Sequence, residues 1–146
     1  MEISGMAHVI LTAGDFEKSA AFYRRFLPAL GMTIVSDDEN VLYGVGARTA
    51  IGIRPPDAKH AGERFVQERA GLHHYCLRAK DRETVDEVHA LLMELGATIV
   101  HAPEAGPWAP GYYSVLFEDP DGIRGEVNFV PGKGVLVDGG ASFRQI

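Results

Sequence analysis

The sequence predicts an α+β fold of two tandem βαβββ modules, and two echoes between its halves carry that prediction. The segments AHVILTAGD (Ala7 to Asp15) and GLHHYCLRAKD (Gly71 to Asp81) each set a histidine ahead of a mostly apolar strand, then an aspartate suited to open a helix. His8 lies seven residues before Asp15, and His74 lies seven before Asp81. Downstream, LGMTIV at 30–35 and LGATIV at 95–100 differ at one residue. Two matches in register predict an internal duplication of about 60 residues.

In the first module, residues 7–13 form a short strand rich in β-branched side chains, with His8, Ile10 and Thr12 on one mixed face. Asp15 caps a helix in which Phe16, Ala20, Tyr23 and Leu27 recur at helical spacing; Pro28 is expected to end it and Gly31 to close it off. Strands at 32–35, 41–45 and 50–53 follow, separated by the polar turn SDDEN and by residues 46–48. Residues 54–70 hold two prolines and a charged run, a break with room for one short helix, in which His60 reads as a solvated loop residue.

The second module repeats the order. A strand at 72–78 leads to Asp81 as N-cap and to a helix with Val85, Val88, Leu92 and Leu95 at helical spacing, ended by Gly96. A loop at 101–111, a strand at 112–117, the tight turn EDPDG and a strand at 123–129 complete it. Module one therefore covers about 6–54, the linker about 55–70, module two about 71–130, and a glycine-rich tail 131–146, expected to run over the surface or onto a partner chain.

A chain of 146 residues is long enough for one proper core, so a single domain is expected. The net charge of −6 argues against nucleic acid and anionic membranes as partners, leaving a small molecule or a protein. The lone Cys76 excludes an internal disulfide, and its apolar strand suggests a buried structural thiol. No apolar run approaches the roughly 18 residues of a membrane span, and the N-terminus lacks the basic start of a signal peptide, so the expected location is the cytoplasm.

Chemistry concentrates on three strands. In RGEVNF, alternation sets Arg124, Glu126 and Asn128 on one face and Val127 and Phe129 on the other; three polar side chains facing one way need water or a ligand. A lone histidine on such a strand is more often a half-buried core residue, but the equivalence of His8 and His74 under the repeat favours ligands. Two imidazoles and one carboxylate make a facial triad that leaves coordination positions open for substrate. Alternation points His73 to the opposite face unless the strand is bulged, while His89 and His101 have no repeat partner of matching type.

At these residues the chain resembles the vicinal oxygen chelate superfamily, which includes glyoxalase I, extradiol dioxygenases, fosfomycin-modifying enzymes, methylmalonyl-CoA epimerase and bleomycin-binding proteins. The resemblance spans nearly all of residues 6–131, and its specific parts are HVILTAGDFEKSAAFY, HYCLRAKD and DPDGIRGEV. It implies two βαβββ modules whose curved mixed sheets enclose a central metal and substrate cleft. It also implies one divalent ion (Fe, Mn, Zn, Ni or Co) held by the histidine opening each module and a glutamate on the final strand, here His8, His74 and Glu126, and a homodimer in which His8 of one chain can complete the site of the other.

This chain departs from particular members. Gly52 stands where glyoxalase I-like proteins carry a fourth, glutamate ligand, and Leu116 stands where the extradiol signature has a tyrosine. No counterpart of the phosphonate-binding basic residues of the fosfomycin enzymes is evident. The implied function is that of a metal-dependent lyase, isomerase or dioxygenase chelating neighbouring oxygens of a small molecule, with Glu126 as the catalytic carboxylate and Tyr113, Trp108 and Arg124 (or Arg54) as substrate contacts. The alternative is a metal-free drug-binding protein of the bleomycin-resistance type.

Overall fold

The computed structural model describes residues 1–136 and has the α+β architecture expected. In chain order it forms β1 (Val9–Thr12), α1 (Phe16–Ala29), β2 (Thr33–Asp37), β3 (Leu42–Gly46) and β4 (Thr49–Arg54), followed by a 3-10 turn at Ala58–His60. Then come β5 (Tyr75–Arg78), α2 (Arg82–Glu94), β6 (Thr98–Ala105), β7 (Tyr113–Glu118) and β8 (Arg124–Phe129). The strands make two four-stranded mixed sheets of identical connectivity, β1-β4-β3-β2 and β5-β8-β7-β6. Within each, the first and last strands are parallel and the other pairs antiparallel. By contacts the chain divides into one unit of Met1–Val66 with Pro120–Gly122 and another of Gln67–Asp119 with the chain from Ile123 onward. Most of the tail expected to cross the surface, from residue 137 on, lies outside the described residues. No described helix is long and apolar enough to cross a membrane.

The letters shared by the repeats are the instructions for ending a helix and starting a strand. Asp15 and Asp81 accept the N–H groups of Lys18 and Thr84 at 3.2 and 2.8 Å, satisfying amides left free at the helix N-termini. At the other end, Gly31 (φ 77°) and Gly96 (φ 74°) take the left-handed conformation of a Schellman motif. Their N–H groups donate to Pro28 and Met93, and the next residues, Met32 and Ala97, donate to Leu27 and Leu92. Pro28 does not end α1: it occupies the last turn, and the helix continues to Ala29. A second difference from the expected elements is β6, which runs on to Ala105 across two register shifts where a loop was expected.

Each helix covers one face of its own sheet. In the first unit, Tyr23, Phe26 and Leu27 of α1 are buried, as are Leu11, Leu42, Ile51 and Ile53 of the sheet. In the second, Val85, Val88 and Leu92 of α2 are buried, as are Tyr75, Val115, Phe117 and Val127. At roughly 1.5–3 kcal/mol per buried large apolar side chain, these layers dominate stability. The turn between β7 and β8 is also fixed by carboxylates: Asp119 accepts the Ile123 N–H at 2.9 Å. Asp121, itself buried, accepts the N–H of Gly14 at 2.9 Å and that of Asp15 at 3.3 Å.

The two-residue connection from β3 to β4 is strained. Ala47 (φ 48°) and Arg48 (φ 64°) both adopt the positive φ of a type I′ hairpin, a conformation suited to Asn-Gly. Replacing them (A47N with R48G) is expected to raise stability by about 1–2 kcal/mol, read as a higher urea midpoint with an unchanged slope. An unchanged or lower midpoint would show that the turn carries no such strain.

Candidate metal centre

The register of the second sheet assembles the site. Cys76 pairs with Glu126 across β5 and β8, Leu116 pairs with Glu126 across β7 and β8, and Ser114 pairs with Asn128. Paired residues share a face, so these side chains stand on the face away from α2. Glu126 is buried there, with 7% of its surface exposed. A buried carboxylate must be compensated by donors, and three converge on it. His74 Nε2 lies 3.1 Å from Oε2, the Tyr112 hydroxyl donates to Oε1, and Ser114 adds a further hydrogen bond. Burial alone would raise the Glu126 carboxyl, but the bonds from His74, Tyr112 and Ser114 outweigh it and hold it below its usual value.

Two of the groups that meet at this carboxylate, Tyr112 and His74, are held from behind. The Asn128 amide donates to the Tyr112 hydroxyl at 3.1 Å. Burial, together with the bond to Glu126, pushes the Tyr112 phenol far above its ordinary value, so its proton stays in place. On the imidazole side, His73 Nδ1 lies 2.7 Å from His74 Nδ1, and the Gln67 amide nitrogen lies 2.7 Å from His73 Nε2. Cys76 is exposed, not buried as expected, because its strand turns even-numbered residues to the polar face. Desolvation of its sulfur and the neighbouring Glu126 still push the thiol up to about 12, so it stands beside the carboxylate as a neutral group.

Of the residues singled out from sequence, His74 and Glu126 meet directly. His8, one residue ahead of β1 as His74 is one ahead of β5, is exposed in the first unit. Among the described residues, no three His, Cys, Asp or Glu side chains are so placed that they could hold a metal ion together. Arg124 is on the Glu126 face but is paired with Glu118 at 3.1 Å. Tyr113 is on the opposite face, its hydroxyl donating to Asp86 of α2 at 2.8 Å and its ring beneath Arg82. The tyrosine that reaches the carboxylate is Tyr112. Trp108 is half-buried against Gly106, close to the Tyr112 ring. His73, expected to face away, instead bonds to His74. Arg54 lines an open pocket of about 380 Å³ in the first unit, together with Thr12, Pro55, Pro56, Asp57 and His60.

Gly52 occupies in the first sheet the slot that Glu126 occupies in the second. It pairs with Ile10 and Tyr43, as Glu126 pairs with Cys76 and Leu116. A Cβ there would fall 2.5 Å from Ile10 Cδ1 and 2.8 Å from Tyr43 Cδ2, so apolar side chains fill the space a fourth carboxylate would need. In the second unit, by contrast, an imidazole nitrogen and a carboxylate oxygen, two donor types that divalent ions take, converge, and the other atom of each group is oriented by an outer partner.

The comparisons agree with this reading of the fold. The family model described as Glyoxalase/Bleomycin resistance protein/Dioxygenase superfamily matches residues 5–127. A Bacillus halodurans protein provisionally assigned as a glyoxalase is 27% identical, with a TM-score of 0.74 over 87% of this chain and 96% of its own. Lactoylglutathione lyase from Agrobacterium tumefaciens is 23% identical, with a TM-score of 0.64 over 88% of this chain and 96% of its own. A glyoxylase/bleomycin resistance protein/dioxygenase domain from Frankia sp. EAN1pec is 22% identical, with a TM-score of 0.69 over 88% and 98%. No curated protein matches. The chain belongs to the glyoxalase/bleomycin resistance protein/dioxygenase superfamily.

Proposed function

We propose that this chain is a metal-dependent enzyme of the glyoxalase/dioxygenase type, acting on a small molecule that presents two neighbouring oxygens. The observation that supports it is the convergence of His74 Nε2 and Glu126 Oε2, 3.1 Å apart on a polar sheet face. His74 and Glu126 would hold the ion, with the His8 imidazole as third ligand, supplied within a homodimer by either copy. When bound, a divalent ion supplies Lewis acidity, stabilising negative charge that develops on chelated substrate oxygens. Glu126, ionised by its donors, supplies the carboxylate that takes up or returns a proton. Tyr112 and Asn128 hold Oε1 in place, and Trp108 forms part of the wall. Arg124, paired with Glu118, is set to orient an acidic group of the substrate. A cytoplasmic setting is part of the proposal, supported by the single unpaired cysteine and the acidic charge balance.

Titration of metal-free protein with Mn(II), Fe(II), Co(II), Ni(II) and Zn(II) is expected to show about one ion per chain. H74A and E126Q are each expected to weaken binding by at least about 100-fold, with the fold intact by circular dichroism. No binding of any of these ions would overturn the proposal. A small-molecule affinity that H74A leaves unchanged would instead identify a binding protein of the bleomycin-resistance type. Light scattering at micromolar concentration should give the mass of a dimer, and a monomer would remove the cross-chain role of His8.

G52E tests the apolar filling of the first sheet. It is expected to destabilise the protein by about 1–3 kcal/mol without raising metal affinity. Tighter metal binding in G52E would show that a fourth ligand is tolerated after all.

A further inference from the structure

β5 and β8 each set an arginine on the sheet face that carries Glu126, and only one of the two has its charge answered. Arg124 is paired with Glu118 at 3.1 Å. Arg78, at the end of β5, pairs in register with Asn128, two residues past the pairing of Cys76 with Glu126, and so shares their face. The two cross-strand pairs lie about 6.6 Å apart along the sheet. Arg78 is exposed, and among the described residues no carboxylate forms an ion pair with its guanidinium. Its charge still acts within the site, on the sulfur of Cys76 beside the carboxylate. In the first sheet the matching pair is Thr12 with Arg54, and both of those residues line the open pocket of that unit.

We propose that Arg78 determines the specificity of this site by binding a carboxylate at the far end of a substrate whose two neighbouring oxygens lie at Glu126; this rests on the metal-dependent reading above. The substrate class is then a small organic acid, with its acidic group about 7 Å from the chelated oxygens. The chain carries a net charge of −6, so its general field repels an anion and recognition needs a local cation. Arg124, offset by Glu118, can orient an acidic group but adds no net charge, and Arg78 supplies it. The neighbours of Arg78 on this face leave that charge in place: the Asn128 side chain is a neutral amide, and the Cys76 thiol, pushed up to about 12, is neutral too. A guanidinium presents a fork of N–H donors that matches both oxygens of a carboxylate, so the contact selects for an acid by geometry as well as by charge.

The test compares catechol, which offers two neighbouring oxygens, with protocatechuate, which adds a carboxylate across the ring. Calorimetric titration of Zn(II)-loaded wild-type protein should show protocatechuate binding at least about tenfold more tightly. Arg78 is exposed, so R78M should fold normally; it should remove the preference and leave catechol affinity unchanged. R78K should keep part of the preference, having the charge without the fork. The Arg78 Nε–H resonance, identified by its loss in R78K, should move when protocatechuate is added and stay in place with catechol. Wild-type protein that binds neither probe, or both equally, would overturn the proposal, as would a preference that survives in R78M. If Zn(II) strengthens neither probe, yet the preference and its loss in R78M persist in metal-free protein, the role of Arg78 stands and the metal-dependent reading falls. Zn(II)-dependent binding of both probes with equal affinity gives the converse.

Discussion

The burial of one carboxylate governs the second unit. Glu126 sits on a sheet face that α2 does not cover, yet only 7% of its surface is exposed, and an ionised group in that position must be met by donors. His74, Tyr112 and Ser114 meet it, and Asn128, His73 and Gln67 orient those groups in turn. A hydrogen-bonded network of this kind is costly when any member is missing. The same network fixes the direction in which the free donor atoms point, which is what an ion-binding site requires.

The two units show how a duplicated chain can keep its architecture while differing in chemistry. Both are built by an aspartate N-cap, an amphipathic helix, a Leu-Gly helix end and three antiparallel strands. They diverge at the slot shared by Gly52 and Glu126. In the first unit that slot is closed over by Ile10 and Tyr43, while in the second it carries the carboxylate. The repeated letters are those that shape the backbone, and the unrepeated one decides where a ligand can be held.

Much of this was legible in the sequence because it depends on short-range rules. Helix caps, turn signals and the repeat register located both helices, the order of elements along the chain and the matching places of His8 and His74 ahead of their strands, while Gly52 was singled out through the family resemblance. What was not legible depends on one-residue registers and on where a strand begins. Tyr112 and Tyr113 are adjacent, and choosing between them needs the pairing of Leu116 with Glu126, which no local pattern reveals. His73 escaped the alternation rule because β5 starts only at Tyr75, so its backbone is not yet that of a strand. Cys76 misled for a related reason: an apolar strand does not state which of its faces the helix will cover.

The most direct measurement is anomalous X-ray scattering from crystals grown with Mn(II) or Zn(II). The account predicts a single strong peak per chain about 2.0–2.2 Å from both His74 Nε2 and Glu126 Oε2. A fully loaded crystal with its peak elsewhere, or with His74 and Glu126 still bonded to each other and no peak between them, would contradict it.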